Sequence, residues 1–122
     1  MEALSESLTP KTFSILRGEA EEVVETPYGA VGKVFTGEGL EAVWVSKQAE
    51  AIDAAWFSQP STDLLVVVQG ALRVEFADPR FEHRVLGPGD LLVLPPGVQC
   101  RAYRWPRDAA EPTTFLAVYR TG

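Results

Sequence analysis

Residues 87–104 read GPGDLLVLPPGVQCRAYR. Two apolar or alternating runs are each introduced by a turn signal, Gly87-Pro88-Gly89 and Pro95-Pro96-Gly97. Glycine reaches φ values that other residues avoid, and proline presets φ, so these triplets bound strands. The stretch predicts a strand, a tight turn and a second strand, which is a hairpin.

The neighbouring sequence has the same character. Residues 63–69, DLLVVVQ, are β-branched and apolar, the strongest central strand, closed by Gly70. Residues 71–76 alternate, with Leu72, Val74 and Phe76 opposite Arg73 and Glu75. Residues 80–86 alternate again, Phe81, His83 and Val85 opposing Glu82, Arg84 and Leu86. Further strands are expected at 12–16, 30–35, 40–46, 54–59 and 113–120. Residues 19–25 carry four Glu and read as a solvated connection or a short helix. Residues 47–55 read as a loop, and residues 1–10 as a loosely held tail. About nine short strands without helices predict an antiparallel sandwich or small barrel. Its core is expected from Leu72, Val74, Phe76, Leu91 and Val93.

With 122 residues, one domain is expected. Eleven Lys and Arg against 17 Asp and Glu give a net charge of −6. That charge repels a phosphate backbone, and there is no basic stripe to reverse it, so nucleic acid is not an expected partner. No apolar run is long enough to span a bilayer and no secretory leader is legible, so no membrane partner is expected. The single cysteine, Cys100, forms no internal disulfide. A reducing, cytoplasmic setting fits it.

Two motifs make the chain resemble the cupin family, whose members are small jelly-roll β-barrels. The first is an acid, six residues and Gly, here Asp63, LLVVVQ and Gly70. The second is Gly, five residues, Pro-x-Gly, two residues, a ligand position, three residues and Asn. It reads Gly89, DLLVL, Pro95-Pro96-Gly97, Val98-Gln99, Cys100 and, in place of Asn, Arg104. The resemblance covers residues 40–119. It implies an all-β, single-domain antiparallel jelly-roll barrel over residues 1–122, with the motif-bearing barrel at 40–119. It also implies a homodimer paired through outer strands.

A metal-binding cupin would carry His-x-His, an acid and a third His. On this alignment those positions hold Trp56, Ser58, Asp63 and Cys100. An indole offers no lone pair, a serine hydroxyl is a poor ligand, and two remaining donors do not make a site. Neither a metal nor any other cofactor is therefore expected.

The cavity location does carry over. Trp56, Ser58, Asp63, Cys100 and Arg104 are the expected ligand-binding residues. Each also has an ordinary structural role: Trp56 as filler, Ser58 as a bonded hydroxyl, Asp63 as a turn cap and Cys100 as a small buried hydrophobe. Arg104 shares the Cys100 face by alternation and needs a partner there, either Asp63 or an anionic ligand. His83 reads as an ordinary strand residue.

The leading expectation is metal-independent binding of a small aromatic or apolar molecule, with an anionic group facing Arg104. A small enzyme of isomerase, cyclase, lyase or dioxygenase type, with a non-standard or residual metal site through Asp63 and Cys100, is the alternative. Its acid–base pair would be Asp63 with Cys100 or His83. A third reading is an interaction module with a plugged barrel.

Overall fold

The computed structural model describes residues 9–121. The expected tail lies outside the described residues up to residue 8. The described residues form nine strands and contain no helix, so none long and apolar enough to cross a membrane. β1 (Glu22–Thr26), β2 (Gly29–Gly37), β3 (Leu40–Lys47), β4 (Asp63–Gln69), β7 (Leu91–Leu94) and β9 (Thr113–Arg120) form one sheet. Their order is β1-β2-β3-β9-β4-β7. β5 (Ala71–Phe76), β6 (Arg84–Leu86) and β8 (Cys100–Trp105) form the second, ordered β6-β5-β8. Every pairing is antiparallel. The fold is the expected all-β jelly roll, and β1 and β2 extend its larger sheet ahead of residue 40.

Residues 87–104 are not a hairpin. β7 pairs with β4 in the large sheet, whereas β8 pairs with β5 in the small one. Pro95-Pro96-Gly97 is therefore a corner that carries the chain between sheets. Gly97 takes φ 78 and donates its N–H to the Gln59 carbonyl at 2.8 Å. Gly89, at φ 90, donates to the Val67 carbonyl at 2.8 Å where the chain crosses from β6 to β7. Both glycines need the left-handed region, so the sequence signal was sound. A strand's partner is a long-range property that turn residues do not carry.

Four other expectations change. Residues 12–16 are not a strand; Gly18 N–H donates to the Ile15 carbonyl, and the Glu19 carboxylate accepts from Ser14 N–H at 2.7 Å. Such local side-chain bonds favour a turn. The acidic connection at 19–25 instead yields β1, whose pairing with β2 runs out from the Thr26–Gly29 turn. Residues 54–59 keep only one bridge, Phe57 to Cys100. Strand 80–86 shrinks to its last three residues, because a turn and the Arg80–Asp78 ion pair occupy its beginning.

The core joins both sheets. Val67, Leu72 and Val74 are fully buried, with Leu65, Leu92, Leu94 and Phe115 packed around them. Leu72, Val74 and Phe76 take their expected places, but Leu91 and Val93 do not: they are 58% and 53% exposed, and Leu92 and Leu94 point inward. The β4 register decides this. Leu65 faces Leu92 and Asp63 faces Leu94, and paired residues share a face. A one-residue shift exchanges the whole set.

β3 is covered on both sides, as its sequence suggested. Val43 faces the core, and Trp44 packs on the opposite face at 3% exposure. The Trp44 indole N–H donates to the Glu19 carbonyl at 2.8 Å. Gly32 lies opposite in β2, and a Cβ there would overlap the indole ring. Gly32→Ala should therefore cost about 3 kcal/mol in urea unfolding. Adding Trp44→Leu should give a double-variant loss smaller than the sum of the single losses, because the neighbours share one space.

Candidate functional site

The inner face of the large sheet lines a cavity of about 520 Å³. Segment 48–62 helps close it. It runs from the end of β3, where Lys47 pairs with Thr113, to the start of β4, where Asp63 pairs with Tyr119. These lie at opposite ends of β9, so the segment travels the length of the sheet. Phe57 ties it to β8 through reciprocal 2.8 Å bonds with Cys100. Most of the lining is apolar and includes Val43, Val45, Leu65, Phe115 and Ala117.

Polar groups lie at both ends, with Thr26, Ser46 and Lys47 at one and Glu41, Tyr119 and Asp63 at the other. Glu41, Tyr119 and Asp63 form one row across β3, β9 and β4. All three line the cavity. The Tyr119 hydroxyl donates to Glu41 Oε1 at 2.6 Å. Burial, then this carboxylate, push the Tyr119 phenol well above its usual range, so it stays protonated. Asp63 is only 4% exposed, and no protein donor reaches its buried Oδ1. Burial alone raises its pKa from 3.8 to about 6. Cys100 is 4% exposed; burial, then the Asp63 charge, push its thiol up to about 11. It is therefore a neutral thiol and not a ready nucleophile. Near the other end, burial lowers the Lys47 pKa, partly opposed by the Asp53 charge.

Of the five expected ligand-binding residues, Asp63 and Cys100 line the cavity; Trp56, Ser58 and Arg104 do not. Phe57 pairs with Cys100, which faces inward, so Phe57 and Gln59 point in while Trp56 and Ser58 point out. The alignment was offset by one residue, and alternation turned that offset into the wrong face. The usable signal was the alternation of Phe57 and Gln59, continuous with neither flanking strand. Trp56 instead stacks outside, with the Arg101 guanidinium 4.5 Å from its ring centroid. Arg104 does share the Cys100 and Ala102 face, as alternation required. Its partner is not Asp63: Nε and Nη2 donate to the Arg107 carbonyl at 3.1 and 2.6 Å. His83 is exposed between β5 and β6.

The metal of the family's motif does not fit these residues. The positions facing inward are Phe57, Gln59, Asp63 and Cys100. They offer one carboxylate, one protonated thiol, one amide and no imidazole. No cluster of three His, Cys, Asp or Glu exists among the described residues.

The Asp63 shift has a definite sign. The folded state holds this proton more tightly than the unfolded state. Stability from this group is therefore greatest below pH 3.8 and is lost as pH rises through about 6. Asp63→Asn removes the dependence. The variant's stability relative to the parent should rise by about 3 kcal/mol from pH 3.5 to pH 7.5, as read by denaturant unfolding. A carboxyl NMR titration should place the Asp63 midpoint near 6.

Comparison with known proteins agrees with this architecture. A family model described as Cupin matches residues 33–102. Germin-like protein subfamily T member 3 of Arabidopsis thaliana is 30% identical over 106 residues, covering 69% of this chain. The match takes in 47% of that protein, so the chain spans about half the length of this curated relative. Two solved structures share the fold. KdgF from Halomonas sp. superposes with a TM-score of 0.68 at 22% identity, over 93% of this chain and 96% of that one. An RmlC-like cupin from Shewanella frigidimarina NCIMB 400 gives 0.66 at 18% identity, over 83% and 84%. With the family model matched over more than half its length, this chain belongs to the cupin family.

Proposed function

We propose that the protein binds a small, largely apolar molecule inside its barrel, without a metal. The observation that carries this is the cavity of about 520 Å³, walled mostly by aliphatic and aromatic side chains with polar groups at its two ends. Pockets of this size and lining take small organic ligands, the apolar wall supplying affinity and the few polar groups orientation. A plugged barrel is disfavoured, because the protein's own side chains leave this space open. Metal independence is supported by the donor set: the inward motif positions Phe57, Gln59, Asp63 and Cys100 offer no imidazole.

A second reading is favoured by Asp63 itself. A carboxyl with a pKa of about 6, beside Tyr119, suits proton transfer to or from a bound molecule.

The binding reading is tested by filling the space. Ala102 lines the cavity from β8. Ala102→Phe should abolish ligand-observed NMR signals from small aromatic probes that bind the parent, while the variant still melts cooperatively. Probe binding unchanged by Ala102→Phe would overturn the assignment to this cavity. Elemental analysis of protein purified without chelator should find substoichiometric iron, zinc, nickel and manganese; a full equivalent of any one would refute metal independence.

A further inference from the structure

The charges around the cavity are not evenly matched. Three cations line it: Lys33, Lys47 and Arg101. Lys33 pairs with Glu22 at 3.1 Å and Arg101 with Glu75 at 2.9 Å. Lys47 has the Asp53 charge beside it. Of the three, only Lys47 lies at the far end of β9; the row Glu41–Tyr119–Asp63–Leu94 itself contains no Lys or Arg. Glu41 there accepts the Tyr119 hydroxyl, and Asp63 Oδ1 has no protein partner among the described residues. A carboxylate at 4% exposure without a donor is costly unless something completes it.

We propose that the ligand carries a protonated amine, which enters the Glu41–Tyr119–Asp63 end of the cavity and pairs with the Asp63 carboxylate while its apolar body lies along Leu65, Phe115 and Ala117. This deepens the binding reading above and rests on it. An ammonium group supplies both things the site lacks, a hydrogen-bond donor and a positive charge. Desolvation strengthens the pair, since water does not screen it there. Tyr119 cannot serve in its place, because its single O–H is already committed to Glu41. An anionic head would meet Glu41 and Asp63 at this end, so the anion preference expected from Arg104 is reversed.

The test uses three probes of one shape, 2-phenylethylamine, 2-phenylethanol and phenylacetate, titrated calorimetrically into the intact protein at pH 7.5. The amine should bind about tenfold or more tightly than the alcohol, and phenylacetate most weakly. Asp63→Asn should bring the amine to the alcohol's affinity and leave the alcohol nearly unchanged. Glu41→Gln, which keeps a partner for the Tyr119 hydroxyl, should reduce the amine preference less. Equal binding of amine and alcohol, a preference for phenylacetate, or an amine preference that survives Asp63→Asn would each overturn the amine assignment while leaving the cavity as a binding site. Failure of all three probes to bind would count against the binding reading itself.

Discussion

The interior depends on β9 lying hydrogen-bonded between β3 and β4. In an antiparallel ladder, directly paired residues present their side chains to the same face. That rule carries Tyr119 to Glu41 on one side and to Asp63 on the other, three residues distant in sequence brought into one row. It also aligns Ala117 with Val43 and Leu65, a small residue between two larger ones. A shift of one residue in β9 would bring Val118 into the row and turn the phenol outward. Both the Glu41–Tyr119–Asp63 row and the apolar wall thus follow from one register.

Against that background Asp63 is a local conflict. A carboxyl at the head of a core strand gives up hydration and receives no protein hydrogen bond at Oδ1. Its neighbours Leu65 and Val67 continue the strand into the hydrophobic core. Unsatisfied polar groups in otherwise consistent folds concentrate where a protein meets its ligand. Cys100, across the cavity from the sheet, shows the contrasting case. Its thiol loses little by burial because it remains neutral.

Most of the strand pattern was legible from residue types. Asp63 to Gln69 and Ala71 to Phe76 form strands with the bounds read from their β-branched and alternating runs. Asp63 and Cys100, placed by their distances from Gly70 and Gly97, do face the cavity. Leu91 and Val93 misled because LLVL is apolar at every position, so alternation cannot tell its buried face from its exposed one. Trp56 and Ser58 misled because segment 48–62 has one bridge and no extended ladder to mark its phase. Arg104 lay on the face that alternation gave it, but its carbonyl partner at Arg107 depends on how the chain turns after β8.

Local chemistry alone determined that this chain is all-β, where its strands break, that it carries both cupin turn motifs, and that the motif positions lack imidazoles. Those properties reside in single residues and short spacings: φ preferences, β-branching and side-chain donors. Tertiary structure decided that β7 and β8 join different sheets, that Phe57 and Gln59 rather than Trp56 and Ser58 turn inward, and that Asp63 Oδ1 is left without a protein donor among the described residues. Each of these depends on which distant strand supplies the hydrogen-bonding partner. Pairing energy is shared between two segments, and neither segment's sequence contains the other's register.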